Sequence, residues 1–352
     1  MEKAMIAMSG GVDSSVAACL MLQCGFQCIG ATMELLTSCG ISSNAASDAA
    51  AVSARLDIPH CVLDFSKEFE QSVIGDFILS YESGLTPNPC VTCNRTLKFP
   101  LLLRQAQGLG CQYLVTGHYA QIRQDPETGR YLLYKAADLA KDQTYFLYAL
   151  DQNILSHTLF PLGELTKQQV RQIAQENNFS VAGKKDSQDI CFIPDGDYLA
   201  FMKRFTGKTY PAGDFLDLQG NPVGRHSGAV GYTLGQRKGL GIALGEPVYV
   251  CSKDMENNTV TVGPDSALYC NTLWAENCNW IPFEDLTSPM RVSAKARSRM
   301  TEQSAWVYPE ENGRIRVEFD TPQRAITPGQ AVVLYNGDSV IGGGTITHAN
   351  NK

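Results

Sequence analysis

The stretch Ala4-Met5-Ile6-Ala7-Met8-Ser9-Gly10-Gly11-Val12-Asp13-Ser14-Ser15 runs an apolar strand into a glycine loop and then into a helix. Ala4 to Ala7 reads as the strand. Ser15 to Gln23 reads as the helix, with apolar residues at helical spacing. Two glycines between them let the backbone approach a phosphate closely, and the helix start aims N–H groups and the positive dipole end at the anion. Ser9, Ser14 and Ser15 add hydroxyl donors, and Asp13 suits a Mg²⁺ bridging phosphate oxygens. No Gly-Lys-Ser/Thr element follows the glycines, which excludes the P-loop of phosphoryl-transferring ATPases.

Outward from this loop, strands and helices alternate. Gln27 to Met33, Cys61 to Asp64 and Tyr113 to Gly117 read as buried strands. Asn44 to Leu56, Phe69 to Gly84, Lys98 to Leu109 and Lys167 to Asn177 read as helices, the last capped by Thr166. The pattern predicts an α/β, Rossmann-like parallel sheet with helices on both faces. Beyond about residue 205, Gly and Pro punctuate short runs rich in Val, Tyr and Thr. These are Gly228 to Tyr232, Pro247 to Cys251, Thr259 to Val262, Arg291 to Ala296, Arg314 to Phe319 and Gln330 to Tyr335. A chain of 352 residues exceeds one ordinary core. The expected division is a nucleotide-binding catalytic domain at 1–205, a small central β-rich domain at 206–275 and a C-terminal β-barrel-like domain at 276–352.

Hydrophobic residues make up 44% and charged ones 18%, a globular balance without the bias of disordered chains. The N-terminus lacks the apolar run of a signal peptide, and no stretch of about 20 apolar residues could span a membrane. A cytoplasmic protein without a membrane partner is expected. There the 12 cysteines are thiols, and a close pair points to metal or redox chemistry before a structural disulfide. Cys19, Cys24, Cys28, Cys61 and Cys111 lie in apolar runs and read as core packing. The net charge of −7 disfavours a nucleic-acid partner on average, yet a local basic face suffices. Its candidates are Lys203, Arg204, Lys208, Arg225, Arg237 and Lys238, with Lys295, Arg297 and Arg299 alternating onto one face of a strand.

The loop Ser9-Gly10-Gly11-Val12-Asp13-Ser14 resembles the Ser-Gly-Gly-x-Asp-Ser signature of the PP-loop ATP pyrophosphatases, which attack ATP at the α-phosphate. Two further segments narrow the choice: Thr86-Pro87-Asn88-Pro89-Cys90-Val91-Thr92-Cys93-Asn94-Arg95 and Lys184-Lys185-Asp186-Ser187-Gln188-Asp189-Ile190-Cys191-Phe192-Ile193. Thr116-Gly117-His118-Tyr119-Ala120, Lys141-Asp142-Gln143-Thr144-Tyr145 and Tyr232-Thr233-Leu234-Gly235-Gln236-Arg237-Lys238-Gly239 add to them. Together they resemble the tRNA-specific 2-thiouridylase (MnmA/TrmU) family over nearly the whole chain. The chemistry is coherent: replacing a carbonyl oxygen by sulfur needs that oxygen made into a leaving group, and a sulfur nucleophile.

The resemblance implies ATP and Mg²⁺ as cofactors. It places Ala7, Met8, Ser9, Gly10, Gly11, Val12, Asp13 and Ser14 around ATP, with Met33 and Gly117. Cys191 would carry a persulfide and Cys93 attack it, leaving a Cys93–Cys191 disulfide, while Asp13 serves through Mg²⁺. Asn88, Pro89 and Cys90 would lie near the target base. His118, Lys141, Asp142, Gln143, Arg297, Ser298 and Gln330 would contact tRNA. The implied partners are tRNAs of Lys, Glu and Gln type with a wobble uridine, and a persulfide sulfur-donor protein. Lys184 and Lys185 suit a role in lowering a thiol pKa.

One departure stands out. Many family members carry Asp where this chain has Cys90. The resulting Cys90-x-x-Cys93, with Cys191, has three thiols for the corners of an iron–sulfur cluster; it equally suits a redox pair, or leaves Cys90 a spectator. A different PP-loop activity, an amide-forming synthetase acting on a small molecule, would need neither Cys93 nor Cys191.

Overall fold

Strand β1 (Lys3–Ala7) is apolar on both faces, with Ala4, Met5 and Ile6 fully buried, as expected of a central parallel strand. The computed structural model describes residues 1–36, 44–184 and 190–350. Strands β2 (Gln27–Glu34), β3 (His60–Asp64) and β4 (Tyr113–Val115) join β1 in a parallel sheet. Strands β5 (Gln121–Gln124) and β6 (Tyr131–Tyr134) leave it, and β7 (Thr158–Leu159) returns to its edge, for an order β3-β2-β1-β4-β7. The period of two along β1 sorts its side chains between two cores. Met5 packs with Ala31, Leu114 and the helix Phe99–Gly108. Ala4 and Ile6 pack with α1 (Val12–Gln23), α2 (Ala45–Arg55) and the helix Lys167–Glu176. The order of strands switches sides at β1, between β2 and β4, and at such a switch point α/β sheets bind ligands at their carboxyl ends.

The second sheet has the order β10-β11-β8-β9, from β8 (Gly213–Leu216), β9 (Pro222–His226), β10 (Tyr249–Asp254) and β11 (Thr259–Gly263). The expected strand Gly228–Tyr232 is instead a 3₁₀ turn, Ala229–Gly231. Gly228 has φ +128°, and its N–H is taken by His226 Nδ1 at 3.0 Å, so the segment turns rather than pairs.

The third sheet comprises β12 (Tyr269–Trp280), β13 (Met290–Lys295), β14 (Gln303–Pro309), β15 (Ile315–Arg324), β16 (Ala331–Asn336) and β17 (Ser339–Asn350). Its order β12-β15-β14-β13-β16-β17 closes through a β12–β17 pairing into a barrel around Leu273, Val317 and Val332. The β5–β6 hairpin, from the first half of the chain, adds to this barrel by pairing Tyr134 with Ser339. Strand β13 ends at Lys295, and Arg297 to Met300 form a turn closed by the Met300 N–H on the Arg297 carbonyl. The alternation expected to put Lys295, Arg297 and Arg299 on one strand face therefore fails, because the strand stops before two of them. Among the described residues, no helix is long and apolar enough to cross a membrane.

Candidate active site

The loop after β1 is held by its own short side chains. Ser15 and Ser14 hydroxyls donate to the Gly11 carbonyl at 2.9 and 3.2 Å, and Ser14 Oγ accepts the Ser9 N–H at 3.2 Å. Gly10 has φ +66°, and a Cβ there would lie 2.5 Å from the Ala45 carbonyl oxygen. A side chain would thus meet α2. Gly117, just past β4, lets that strand end press against the start of α1: its Cβ would fall 2.8 Å from Ser14 N. Met8 is anchored by its N–H on Ala31 O at 2.8 Å and its carbonyl under Thr32 Oγ1 at 2.8 Å. Ala7 ends β1, Val12 is buried at the start of α1, and Met33 packs partly buried near the carboxyl end of β2. The ten expected nucleotide positions therefore gather around the carboxyl ends of β1, β2 and β4. A helix N-terminus, serine hydroxyls and glycine-cleared backbone fit the phosphates of a nucleotide.

Asp13 is more engaged than its spacing suggests. Lys167 Nζ lies 2.7 and 2.8 Å from its two carboxylate oxygens, and the Tyr119 hydroxyl donates to it at 2.9 Å. The sequence reading missed Lys167 as a site residue, seeing only a helix start there. Its delivery depends on Thr166, whose reciprocal capping box with Gln169 fixes that start. Any Mg²⁺ held through Asp13 would share it with this ammonium. Lys184 donates to the Gly10 carbonyl at 3.0 Å and pairs with Asp48, so it serves the nucleotide loop, not the thiols. Lys185 lies outside the described residues, as does the rest of the segment to Asp189.

The thiols sit on another core. Asn88 caps the short helix Pro89–Cys93, accepting the Val91 N–H at 3.4 Å, with Pro89 at its first position. A π-helical turn, Asn94–Lys98, follows directly. Cys93 is buried in a cluster with Phe69, Phe77, Leu97, Phe192 and Phe201. Phe192 is the anchor for its neighbour Cys191. Its ring meets those of Phe69, Phe77 and Phe201 at 5.2–5.7 Å, leaving Cys191 itself exposed. Cys90 is likewise exposed on the other thiol segment.

All three thiols feel one another and Lys98. Burial of the surrounding recess, then Cys93 and Cys90, pushes Cys191 up to about 11, against the pull of Lys98. Desolvation also raises Cys93 and Cys90, with the Lys98 ammonium opposing it in both. Among the described residues, Lys98 rather than Lys184 is therefore the cation that acts on the thiols. It lies five residues after Cys93, one π-turn on, in the Leu97-Lys98-Phe99 run that follows the thiol segment, where nothing in the sequence assigned it a role beside the thiols. Among the described residues, no three His, Cys, Asp or Glu side chains converge to hold a metal ion. Cys90, Cys93 and Cys191 as placed thus do not fit the corners of an iron–sulfur cluster.

Several residues expected at the tRNA also make hydrogen bonds within the chain. Gln330 Nε2 donates to the carbonyls of Thr86 and Pro87 at 2.9 and 3.2 Å, pinning the segment that leads into Asn88. Asp142 accepts from Ala136 N and Thr144 Oγ1, and Gln143 Oε1 accepts the Tyr119 N–H at 2.9 Å. Arg297 reaches the carbonyls of Leu234 and Ala325, tying the central sheet to the barrel. Ser298 follows in the turn, half-buried, as is Lys141. His118 Nδ1 pairs with Thr116 Oγ1 at 2.7 Å, between the rings of Phe99 and Phe160. Burial and then Lys98 push its pKa down to about 3, so it is a neutral imidazole. Of the basic candidates, Lys208 pairs with Glu82 and Arg225 with Asp214. Among the cysteines read as core, Cys24 is exposed, since it caps the end of α1.

Comparison with known proteins adds an independent line. A "tRNA methyl transferase HUP domain" profile matches residues 2–195, a "tRNA methyl transferase PRC-barrel domain" profile 200–264 and an "Aminomethyltransferase beta-barrel domain" profile 270–346. The chain is 49% identical, over 98% of its length and 99% of the relative's, to the tRNA-specific 2-thiouridylase MnmA of Acetivibrio thermocellus. It is 48% identical to the protein of that name from Moorella thermoacetica, covering 97% of this chain and 98% of that one. For Heliobacterium modesticaldum the identity is 47%, over 98% and 92%. The profile names mention methyl transfer, whereas the full-length relatives are named for thiolation. Near-complete coverage at this identity gives the relatives the greater weight.

Proposed function

The chain belongs to the tRNA-specific 2-thiouridylase family, and from that premise we propose how its residues carry out ATP-dependent thiolation of a tRNA uridine. The enzyme is a tRNA sulfurtransferase of the PP-loop type, using ATP with Mg²⁺. The uridine C2 oxygen attacks the α-phosphate of ATP, forming an O-adenylated base and releasing pyrophosphate. Gly10, Gly11 and the start of α1 hold the phosphates, with Ser9 and Ser14 donating to them. Lys167 and Asp13 set the charge beside them, and Mg²⁺ when bound neutralises phosphate charge.

Sulfur arrives as a persulfide on Cys191, loaded by a donor protein. The Cys93 thiolate attacks the inner sulfur of that persulfide, making the Cys93–Cys191 disulfide and expelling hydrosulfide. Hydrosulfide adds to C2 and AMP leaves with the former carbonyl oxygen. A thiol reductant supplies two electrons to reopen the disulfide. The target is the wobble uridine of Lys-, Glu- and Gln-type tRNA, a single-stranded base that can be splayed into a pocket beside Asn88, Pro89 and Cys90.

The observation that supports this most is that Cys93 lies in the aromatic cluster that buries Phe192, next to Cys191, and that Cys93 acts on the Cys191 thiol, although 97 residues separate the two in the chain. The test is anaerobic incubation with ATP, Mg²⁺, a persulfide donor without free sulfide, and unmodified tRNA, read by nucleoside mass spectrometry. Loss of 2-thiouridine in both Cys93→Ser and Cys191→Ser, with tRNA-dependent pyrophosphate retained, is the expected result. Thiolation surviving in both variants overturns the cysteine route. Stoichiometric iron with acid-labile sulfide, lost on Cys90→Ser, would replace the persulfide by a cluster.

A further inference from the structure

The thiol segment, residues 86–94, belongs to the first domain, yet the barrel grips it at both ends. At its entry the Thr86 N–H donates to the Pro328 carbonyl at 2.9 Å, and Gln330 Nε2 donates to the carbonyls of Thr86 and Pro87. Gly329 lies between these two anchors, at φ +89°. A Cβ there would fall 2.8 Å from Thr86 N and 3.0 Å from Leu85 Cβ, so only glycine lets the loop lie flat on the backbone it holds. At the exit, Asn94 Nδ2 donates to the Phe146 carbonyl at 2.9 Å. The adjacent Tyr145 hydroxyl donates to the Ala331 carbonyl at 2.8 Å, so this second strut returns to the start of β16. Asn94 and Tyr145 are both buried, where water does not compete for these bonds.

The connection is stiff. Only Pro87 and Asn88 separate Thr86 from the helix Pro89–Cys93, and the two prolines fix their own φ angles. The loop is itself tied to the barrel, by the Gly329 N–H on Ile346 O and the Ile346 N–H on Gln330 O, both at 2.8 Å. A displacement at Gly329 is therefore passed on to the thiol helix. Cys191 is supported differently, through Phe192, in a cluster whose described members include no barrel residue. The barrel thus holds one thiol of the pair and not the other.

We propose that Gly329 and Asn94 are positioning residues for the sulfur step, acting through the backbone of the thiol segment to set Cys93 against Cys191. The use made of that placement rests on the thiolation reading, whereas the placement itself can be measured without tRNA.

The experiment compares wild type with Gly329→Ala, Asn94→Leu and Val317→Ala, the last a barrel-core truncation that touches neither strut. In tRNA-free protein, limiting diamide takes up the two electrons and two protons of a thiol pair, and peptide mass spectrometry follows the Cys93–Cys191 disulfide. With tRNA, 2-thiouridine and pyrophosphate are measured, at a temperature where urea titration shows each variant folded. Gly329→Ala and Asn94→Leu are expected to slow disulfide and 2-thiouridine formation together, by about tenfold or more, with pyrophosphate release within about threefold of wild type. Val317→Ala should lower stability and leave the disulfide rate unchanged. If Gly329→Ala does not fold, Asn94→Leu carries the test. Wild-type disulfide rates in the folded strut variants overturn the proposal, as does an equal slowing in Val317→Ala, which would make the effect one of stability alone. Thiolation that survives in Cys93→Ser would remove the thiolation reading, and the disulfide rates would still decide the placement.

Discussion

The nucleotide loop and the thiol pair, the two parts of the proposed site, are built in opposite ways. Ser9 to Ser15 makes its framework from itself, with hydroxyls of Ser14 and Ser15 closing on Gly11 four residues or fewer away. Cys93 and Cys191 come from segments nearly a hundred residues apart and meet because Phe192 and Leu97 are buried together. A local motif survives as long as its strand and helix do. A tertiary meeting fails as soon as the packing beneath it does. Loop variants should therefore lose the ATP step, and thiol-cluster variants the sulfur step.

The largest effect tests that split directly. Cys191→Ser is expected to lower 2-thiouridine formation on the order of 10³-fold or more, while tRNA-dependent pyrophosphate release stays within about threefold. Equal loss of both steps would break the comparison. Asp13→Asn should do the reverse at the loop, slowing pyrophosphate release by about 100-fold. Because Asp13 and Lys167 form one pair, Lys167→Met added to it should cost much less than it does alone, as a double-mutant cycle will read.

Phe192→Ala probes the support beneath the thiols. Deleting a ring that is 1% exposed should destabilise the protein by about 3–5 kcal/mol in denaturant titration. It should also cut thiolation more than pyrophosphate release at temperatures where the variant is folded. Lys98→Met is subtler. The Lys98 ammonium favours the thiolate, so its removal raises the thiol pKa values and leaves less thiolate at any pH below them. Iodoacetamide alkylation of Cys191 against pH should shift to higher pH, with thiolation falling about tenfold. An unshifted profile would remove Lys98 from the site. The smallest effect belongs to Thr166→Ala, which opens the capping box that presents Lys167, for about 1 kcal/mol of stability.

Much of the fold could be read from pattern. Strands β1 to β4 and the helices beside them announced themselves as apolar runs, whereas β7, two residues long, did not. The hairpin β5–β6 did not, for its half-exposed residues Gln121, Arg123 and Gln124 leave no clear alternation. The expected strand Gly228–Tyr232 had strand composition, but two glycines and His226 turned it into a 3₁₀ turn.

Motif chemistry was legible where residues adjacent in sequence act together: Ser9-Gly10-Gly11-Val12-Asp13-Ser14, Cys90-x-x-Cys93 and Cys191-Phe192. The sequence by itself determined the family, and it pointed to a nucleotide loop and two thiols as the candidate site. Only the tertiary structure decided which lysine serves which half, sending Lys167 and Lys184 to the loop and Lys98 to the thiols. It also turned Gln330 and Arg297 inward as clamps between domains. The reason is physical: a long cationic side chain carries no periodicity, and its partner is chosen by the three-dimensional packing that surrounds it.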